Sequence, residues 1–537
     1  MRRDGKLVGA GVGPAGAGAV TGVPRAAAGP DALADRAGLD SGPVAARPDR
    51  VPWLIALAVF AAYVPISVFR YLRFDPTSWD LGIFTEYVKQ YAGLHAPVVD
   101  IRGAGFNLLG DHFHPIVALI APFFRLFPTS VTLLVAQALL AAVSVVPVSR
   151  AAADRLGTGA GRAIGAAYGF SWGLQQMVEF DFHEIAFAVP LLACSLSALV
   201  RGRTRAAVLW ALPLVFVKED QGFTLAAIGI LMALVYKEQI AGLFLAAWGL
   251  AWSFLAIIVI IPHFNSSHRY LYWTDGGAIS PVGGHLSLAG LISQLTAGSS
   301  TKLPTLALIL LPTVFLALRS PLVLAVLPSL ALRFVGTNSA YWSTEWHYNA
   351  TVMPIVFIAA IDSLARIRAA RTARESRAGE NGAAARSAWA DAARGVTGRL
   401  AAALERHGPA MMLAIAAALA FQFPLSDLWT PATYTVDQHV AAARAAMARV
   451  PDGAQVATDL DLLAPLAART DTYWLGNSGT NPATKYVVFD TASTDWQPPP
   501  TNVLAFVESL NHGVRYRQIY VNDGVYVFIR ASVPGPG

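Results

Sequence analysis

Two acidic motifs set among aromatic residues lie between the first long apolar run and the next: Trp79-Asp80-Leu81-Gly82-Ile83-Phe84 and Gly110-Asp111-His112-Phe113-His114-Pro115. A carboxylate in such a place can take the proton from an attacking hydroxyl, and Asp80 is the candidate for that general base. Asp80 or Ser78 could equally cap a helix running on through Tyr87 by satisfying free backbone donors. Asp111, His112 and His114 bring carboxylate and imidazole together, a set that suits either a divalent cation such as Mg or Mn or a hydrogen-bonded network. Further along come Glu179-Phe180-Asp181-Phe182-His183-Glu184, then Lys218-Glu219-Asp220 closing a short apolar run, then His263, His268 and Arg269 beside Tyr270, Tyr272 and Trp273, and finally Glu345-Trp346-His347-Tyr348. Each has a plainer account: an aromatic belt with solvated charges, a snorkelling lysine, interface anchors. Acids near bilayer depth usually face a wet interior, however, and a cation such as Arg269 at a membrane surface suits a lipid phosphate.

These residues must be held by membrane helices. The chain has 537 residues, is 55% hydrophobic and only 14% charged, and has a mean hydropathy of +0.48. Soluble proteins carry about a quarter charged residues, so this is a polytopic membrane protein. The net charge of +6 resides in arginines clustered between apolar runs, a topology signal that argues against a nucleic-acid partner. The single cysteine, Cys194, excludes a disulfide within the chain and argues against thiolate metal sites and thiol catalysis.

Residues 1–50, rich in Ala, Gly and Pro, read as a disordered cytoplasmic tail. Residues 51–424 read as the membrane region. A first span covers Val51 to Phe69, and Ile116 to Phe127 is too short to cross, which suggests a re-entrant or surface helix. Further spans fall near Ser130–Val148, Ala163–Val178, Ile185–Val200, Ala206–Val217, Phe223–Tyr236, Ile240–Ile261, Leu303–Leu318, Pro321–Val335, Ala350–Leu364 and Pro409–Phe423, about eleven crossings in all. Arginine and lysine occupy alternate connections: Arg150, Arg155 and Arg162; Arg201, Arg203 and Arg205; Lys237; Arg319; and the run from Arg366 to Arg406 within a cytoplasmic loop spanning 366–407. The positive-inside rule then puts the N-terminus in the cytoplasm and every motif above, including the loop 70–115, on the outer face. Residues 425–537 read as a small extracytoplasmic α/β domain. It has a helix over Val436–Val450, strands at Ala454–Thr458 and Tyr486–Phe489, and a hairpin turning at Asn522-Asp523-Gly524 between Val514–Val521 and Val525–Arg530.

The Trp79–Phe84, Gly110–Pro115, Asp181-Phe182-His183-Glu184 and Val217-Lys218-Glu219-Asp220 motifs, in that order, resemble the DUF2079 family of predicted bacterial membrane proteins, over about Tyr71 to Tyr348. That family in turn resembles the GT-C membrane glycosyltransferases. The resemblance implies a multi-pass protein of the bacterial plasma membrane with a GT-C-like fold. It implies a sugar taken from a polyprenyl-phosphate donor and passed to an envelope glycan, glycolipid or protein acceptor, with inversion. Asp80, by position, would match the essential acid of the first outer loop, with Asp111 as the second candidate. His112, His114, Asp181, His183, Glu184, Lys218, Glu219, Asp220, Arg269 and His347 would bind substrate, and Asp111, His112 and Asp181 are the candidates for a metal. The chain has no Asp-X-Asp in its first loop. Two other classes fit the same composition: a lipid or solute transporter or flippase, whose ionisable groups would sit near mid-bilayer, and a non-catalytic envelope assembly protein. An enzyme requires the scattered motifs to converge on one outer-face pocket.

Overall fold

A computed structural model describes residues 49–76, 78–273, 288–380, 388–477 and 481–531. The expected tail lies almost entirely outside the described residues. The chain is mostly helical with one small sheet near its C-terminus.

Among the described residues, four helices are long and apolar enough to cross a membrane: Val51–Leu72, Val131–Leu156, Gln239–Phe264 and His347–Ala373. The last is 89% buried and runs through the centre, whereas Val51–Leu72 (33%) and Gln239–Phe264 (39%) leave most of their apolar surface for lipid. Five shorter apolar segments, Pro115–Leu126, Glu184–Val200, Thr204–Phe216, Gln221–Leu234 and Pro321–Val335, accompany them. The difference from about eleven expected crossings has local causes. Near Pro213 the helix Thr204–Ala211 tightens into the 3-10 turn Leu212–Phe216, and near Pro312 the helix Ser299–Leu310 passes into Leu311–Thr313. Val314 and Phe315 then take left-handed backbone, ending that helix outright. The Arg-rich stretch 366–407 is largely helical among the described residues: helices Val352–Glu380 and Ala388–Leu419 cover most of it, and Arg371 and Arg368 both pair with Glu405.

Arginine-bearing ends gather together. Arg201 pairs with Asp154 at 2.5 Å and Arg368 donates to the Arg155 carbonyl. The helix that carries Asp154 and Arg155 begins near Ser130, roughly 36 Å away at ~1.5 Å per residue. At that far end the Ser130 hydroxyl accepts from Thr85 Oγ1 and donates to the Ala464 carbonyl.

The hairpin of Gln221–Leu234 and Gln239–Leu255 fixes the Lys218–Asp220 turn. Gly222 faces Gly249 and Gly229 faces Gly242, so closely that a Cβ on any of the four would overlap backbone of the facing helix. Ser253, brought in by that approach, donates to the Glu219 carbonyl. Helix contact through small residues is the packing lipid favours, since apolar burial gives no advantage there.

The sheet has five strands: β1 Gln455–Thr458, β2 Asp471–Trp474, β3 Tyr486–Asp490, β4 Tyr516–Asn522 and β5 Val525–Arg530, in spatial order β2-β1-β3-β5-β4. β1 is parallel to β2 and β3, while β5 is antiparallel to β3 and β4. The β4–β5 hairpin turns with Asp523 and Gly524 at positive φ. Residues 438–447 form the expected helix. β2 and the helices Leu460–Ala467 and Val503–Leu510 were not expected, being too short for a clear period. The Leu460–Ala467 helix packs on the helix Asp80–Ala92, where a Cβ at Gly82 would lie 3.1 Å from Leu463 Cβ.

Gly242→Leu should push the helices Gln221–Leu234 and Gln239–Leu255 apart and lower stability by about 1–3 kcal/mol, as overpacking does. Gly159→Ala, which meets open space, should change it by less than about 0.5 kcal/mol. Thermal unfolding of both variants in detergent micelles checks the pair, and equal melting temperatures would contradict the packing account.

Candidate functional site

Ten of the twelve residues singled out from sequence line one cavity of about 270 Å³: Asp80, Asp111, His112, His114, His183, Glu184, Lys218, Glu219, Asp220 and His347. They come from five separate stretches of chain. Arg102, Arg333, Tyr270, Tyr272, Tyr341 and Tyr348 complete the polar wall.

Asp80 opens the helix Asp80–Ala92, where the helix dipole favours a negative charge. Its carboxylate does not cap that helix. Oδ2 accepts the Ser78 hydroxyl at 2.6 Å, and Ser78 Oγ in turn accepts the Asp80 amide at 3.0 Å. Asp181 stands behind this turn and not in the cavity wall: its Oδ2 accepts the Ser78 amide at 3.2 Å. Asp181 has φ of 83°, a strained value for a non-glycine residue. Gln137 holds it there, donating to the Met177 and Asp181 carbonyls and accepting the His183 amide at 3.0 Å. One buried glutamine thus shapes the turn that presents His183 and Glu184.

Glu219 is 2% exposed and serves as the knot of the outer wall. His112 Nδ1 lies 2.6 Å from Oε1, the Tyr270 hydroxyl donates to Oε1 at 2.9 Å, and the Phe113 amide donates to Oε2 at 3.0 Å. Burial alone would raise this carboxyl; the His112 charge and hydrogen bond, helped by Lys218 and the Phe113 amide, bring it down to about 2. His112 is affected in reverse. Burial would lower it, but Glu219 wins and its pKa is raised. His114, two residues on, has no such partner and meets the Tyr87 hydroxyl at 3.2 Å, so burial brings it down to about 4 and it is neutral at pH 7. Asp220 is raised by burial despite the neighbouring Lys218.

Lys218 reaches the other way, to Glu184 Oε1 at 3.2 Å, and Glu184 Oε2 lies 2.6 Å from His183 Nδ1. Burial opposes the charge on Lys218, yet Glu184, Asp220 and Glu219 hold its pKa well above the usual lysine range. His183 stacks on His347 with ring centroids 3.7 Å apart.

Asp111 accepts from Arg102 and from the Tyr272 hydroxyl, both at 3.1 Å. Tyr272 also stacks on His112 at 4.3 Å. Gly110 lies against the backbone of Phe264 and Asn265, with Asn265 donating to its carbonyl at 2.8 Å, so the two loops are clasped. Arg333 is 6% exposed and donates to the Tyr341, Tyr348 and Ser343 carbonyls and to Asn349 Oδ1. Among the described residues no carboxylate pairs with it.

Arg269 is exposed and does not line the cavity; Tyr270 and Tyr272, read from sequence as anchors, do. Asp111, His112 and Asp181 do not form a common ligand set. Asp111 is engaged by Arg102, His112 by Glu219 and Asp181 by Ser78, and among the described residues no three His, Cys, Asp or Glu side chains are grouped to hold a metal ion. Sequence reading missed Arg102 and Arg333. The signal for Arg333 was present, since an arginine inside the apolar run Leu330-Ala331-Leu332-Arg333-Phe334 is costly unless it faces a polar interior.

The arrangement is a polar pocket at one end of the helices. It has a carboxylate with no cation partner among the described residues at its helix N-terminus, Asp80, cations at Arg102, Lys218 and Arg333, and a histidine of raised pKa at His112. Such a wall can bind an anion and accept a proton beside it. The family described as "Predicted membrane protein (DUF2079)" matches residues 70–527. Among solved structures, the crystal structure of ArnT from Cupriavidus metallidurans bound to undecaprenyl phosphate is similar in fold. Its TM-score is 0.50 at 15% identity, covering 91% of this chain and 99% of that one. A comparison with curated proteins returns no match. With more than four-fifths of its length matched by one family, the chain belongs to the DUF2079 family of membrane proteins.

Proposed function

We propose that this protein is a GT-C-type membrane glycosyltransferase that moves a sugar from a polyprenyl-phosphate donor to an extracytoplasmic acceptor, a glycan, glycolipid or protein of the envelope. The observation that carries this reading is Asp80 and the cations Arg102, Lys218 and Arg333 around one cavity. The ArnT-like fold supports it, the related crystal structure holding undecaprenyl phosphate. The chain crosses the plasma membrane about eleven times, broken helices together completing some crossings. Its N-terminus lies in the cytoplasm, and the C-terminal module and cavity lie outside. The gathering of Arg155, Arg201 and Arg368 far from the cavity supports that orientation.

In the reaction the acceptor hydroxyl attacks the anomeric carbon and gives its proton to Asp80. The bond from that carbon to the phosphate oxygen breaks with its electron pair remaining on oxygen, through an oxocarbenium-like state, and the configuration inverts. The polyprenyl phosphate leaves as a monoester with increased negative charge, which Lys218, Arg333, Arg102 and protonated His112 stabilise. Glu219 and Glu184 keep His112 and Lys218 charged, and His183, His347, His114 and Asp220 line the sugar's surroundings. Asp111 orients Arg102. A transporter would need these groups accessible from both faces; their grouping at one end of the helices favours the enzyme.

Asp80→Asn should reduce transfer of sugar from polyprenyl-phosphate donors by about 10²–10⁴-fold with donor binding little changed, the usual loss for a general base. A single-turnover assay with radiolabelled donor in proteoliposomes measures it, and wild-type turnover in a well-folded Asp80→Asn protein would remove Asp80 from its role.

Binding of the released polyprenyl phosphate should also weaken as pH rises. His112 is cationic below its raised pKa and loses its charge as pH passes through it, so affinity for undecaprenyl phosphate should fall on the alkaline side of the ordinary histidine value near 6.5. His112→Asn should flatten that profile in titrations by microscale thermophoresis, and an unchanged slope would assign the titration to another group.

A further inference from the structure

The C-terminal sheet touches a residue of the cavity wall, Trp79. Trp474, the last residue of β2, meets Trp79 edge to face with ring centroids 4.6 Å apart. On Trp79 lies the guanidinium of Arg102, 4.9 Å from the ring centroid, with Phe106 also within 5.5 Å of that guanidinium. Arg102 commits one terminal nitrogen to Asp111, while its Nε–H is buried without a hydrogen-bond partner among the described residues. A buried donor with no acceptor is costly unless a ligand supplies one, and Arg102 lines the cavity.

Trp474 is itself fixed. Its indole N–H donates to Asp495 Oδ2 at 2.8 Å, and the same oxygen accepts the Leu460 amide at 2.9 Å. Around this contact, Asn477 donates to the Ile101 carbonyl and Lys89 to the Thr470 carbonyl, at 2.9 and 2.6 Å. The strand end therefore bears on the turn that carries Arg102.

We propose that Trp474 is a positioning residue: through Trp79 it fixes the plane of the Arg102 guanidinium, so that the C-terminal sheet helps to set where an anionic oxygen is held in the cavity. The inference rests on the reading of that cavity as a lipid-phosphate site, and it deepens that reading by making the outer module part of the site. An arginine held against an aromatic face keeps its donors in one direction and loses less freedom on binding than a solvated one.

The test uses the full chain in detergent micelles, with Trp474→Ala, Trp474→Phe, Arg102→Ala and the Trp474→Ala/Arg102→Ala double variant. Hydrogen exchange is read over residues 98–111, and binding is read with undecaprenyl phosphate. Trp474→Ala should speed exchange in 98–111 by about tenfold with the membrane helices and the remaining strands unchanged, and Trp474→Phe should restore it to within about twofold. Lipid-phosphate affinity should fall about tenfold in Trp474→Ala, recover in Trp474→Phe, and fall no further in the double variant than in Arg102→Ala, as coupled residues do. Unchanged exchange in 98–111 overturns the proposal, as does faster exchange throughout 438–530, which would mean simple undocking of the module. Additive losses in the double variant overturn it too. If wild-type protein binds no undecaprenyl phosphate, the lipid-phosphate reading fails, while the exchange data still decide whether Trp474 holds the Arg102 turn.

Discussion

A carboxylate with almost no exposed surface, Glu219, is the constraint on which the cavity depends. An isolated buried charge is strongly disfavoured, so the carboxylate must collect donors, and the donors come from two loops: His112 and the Phe113 amide from one, Tyr270 from the other. Because Glu219 is anchored from behind by Ser253 on its carbonyl, the loops are gathered to a point fixed by the glycine-lined helix hairpin. The next residue back, Lys218, turns away to Glu184 and does the same for the inner wall. One tripeptide between two helices thus serves both halves of the pocket.

The same residue types acquire different chemistry from these partners. His112 and His114 are neighbours on one stretch of loop, yet one faces a carboxylate that raises its pKa while the other, facing only a phenol, is brought down to about 4 by burial. Arg333 makes a third case. Its donors are satisfied by backbone carbonyls and an amide, which ease desolvation but do not neutralise charge. A buried guanidinium left in that state gives the cavity a standing attraction for an anion.

Much of this was legible in the sequence because the acids and histidines are confined to short motifs in a chain otherwise poor in charge. Their grouping in space required only that they share one membrane face. Asp181 and Arg269 show the limit: residue type and neighbourhood cannot tell a side chain that holds a turn, or one left exposed, from one that lines the pocket. The β4–β5 hairpin was legible from alternation and its Asn-Asp-Gly turn, while four-residue β2 carries no period to read. Nothing in the sequence therefore pointed to the contact of Trp474 with Trp79. The helix breaks were signalled by Pro213 and Pro312, but the left-handed pair Val314-Phe315 was not, since neither residue favours that backbone.

Asp80 owes its availability to the arrangement around it. Had its carboxylate capped its own helix, backbone donors would have occupied the oxygens and stabilised the anion against accepting a proton. Instead the Ser78 hydroxyl takes one oxygen, and the amide of Ser78 is held by Asp181, whose strained backbone is supported by Gln137. The strain is thus borne by a residue outside the cavity, and the carboxylate inside it keeps a single neutral partner and a helix N-terminus. That combination leaves the Asp80 carboxylate unpaired with any cation among the described residues, which is what its proposed role as a base requires.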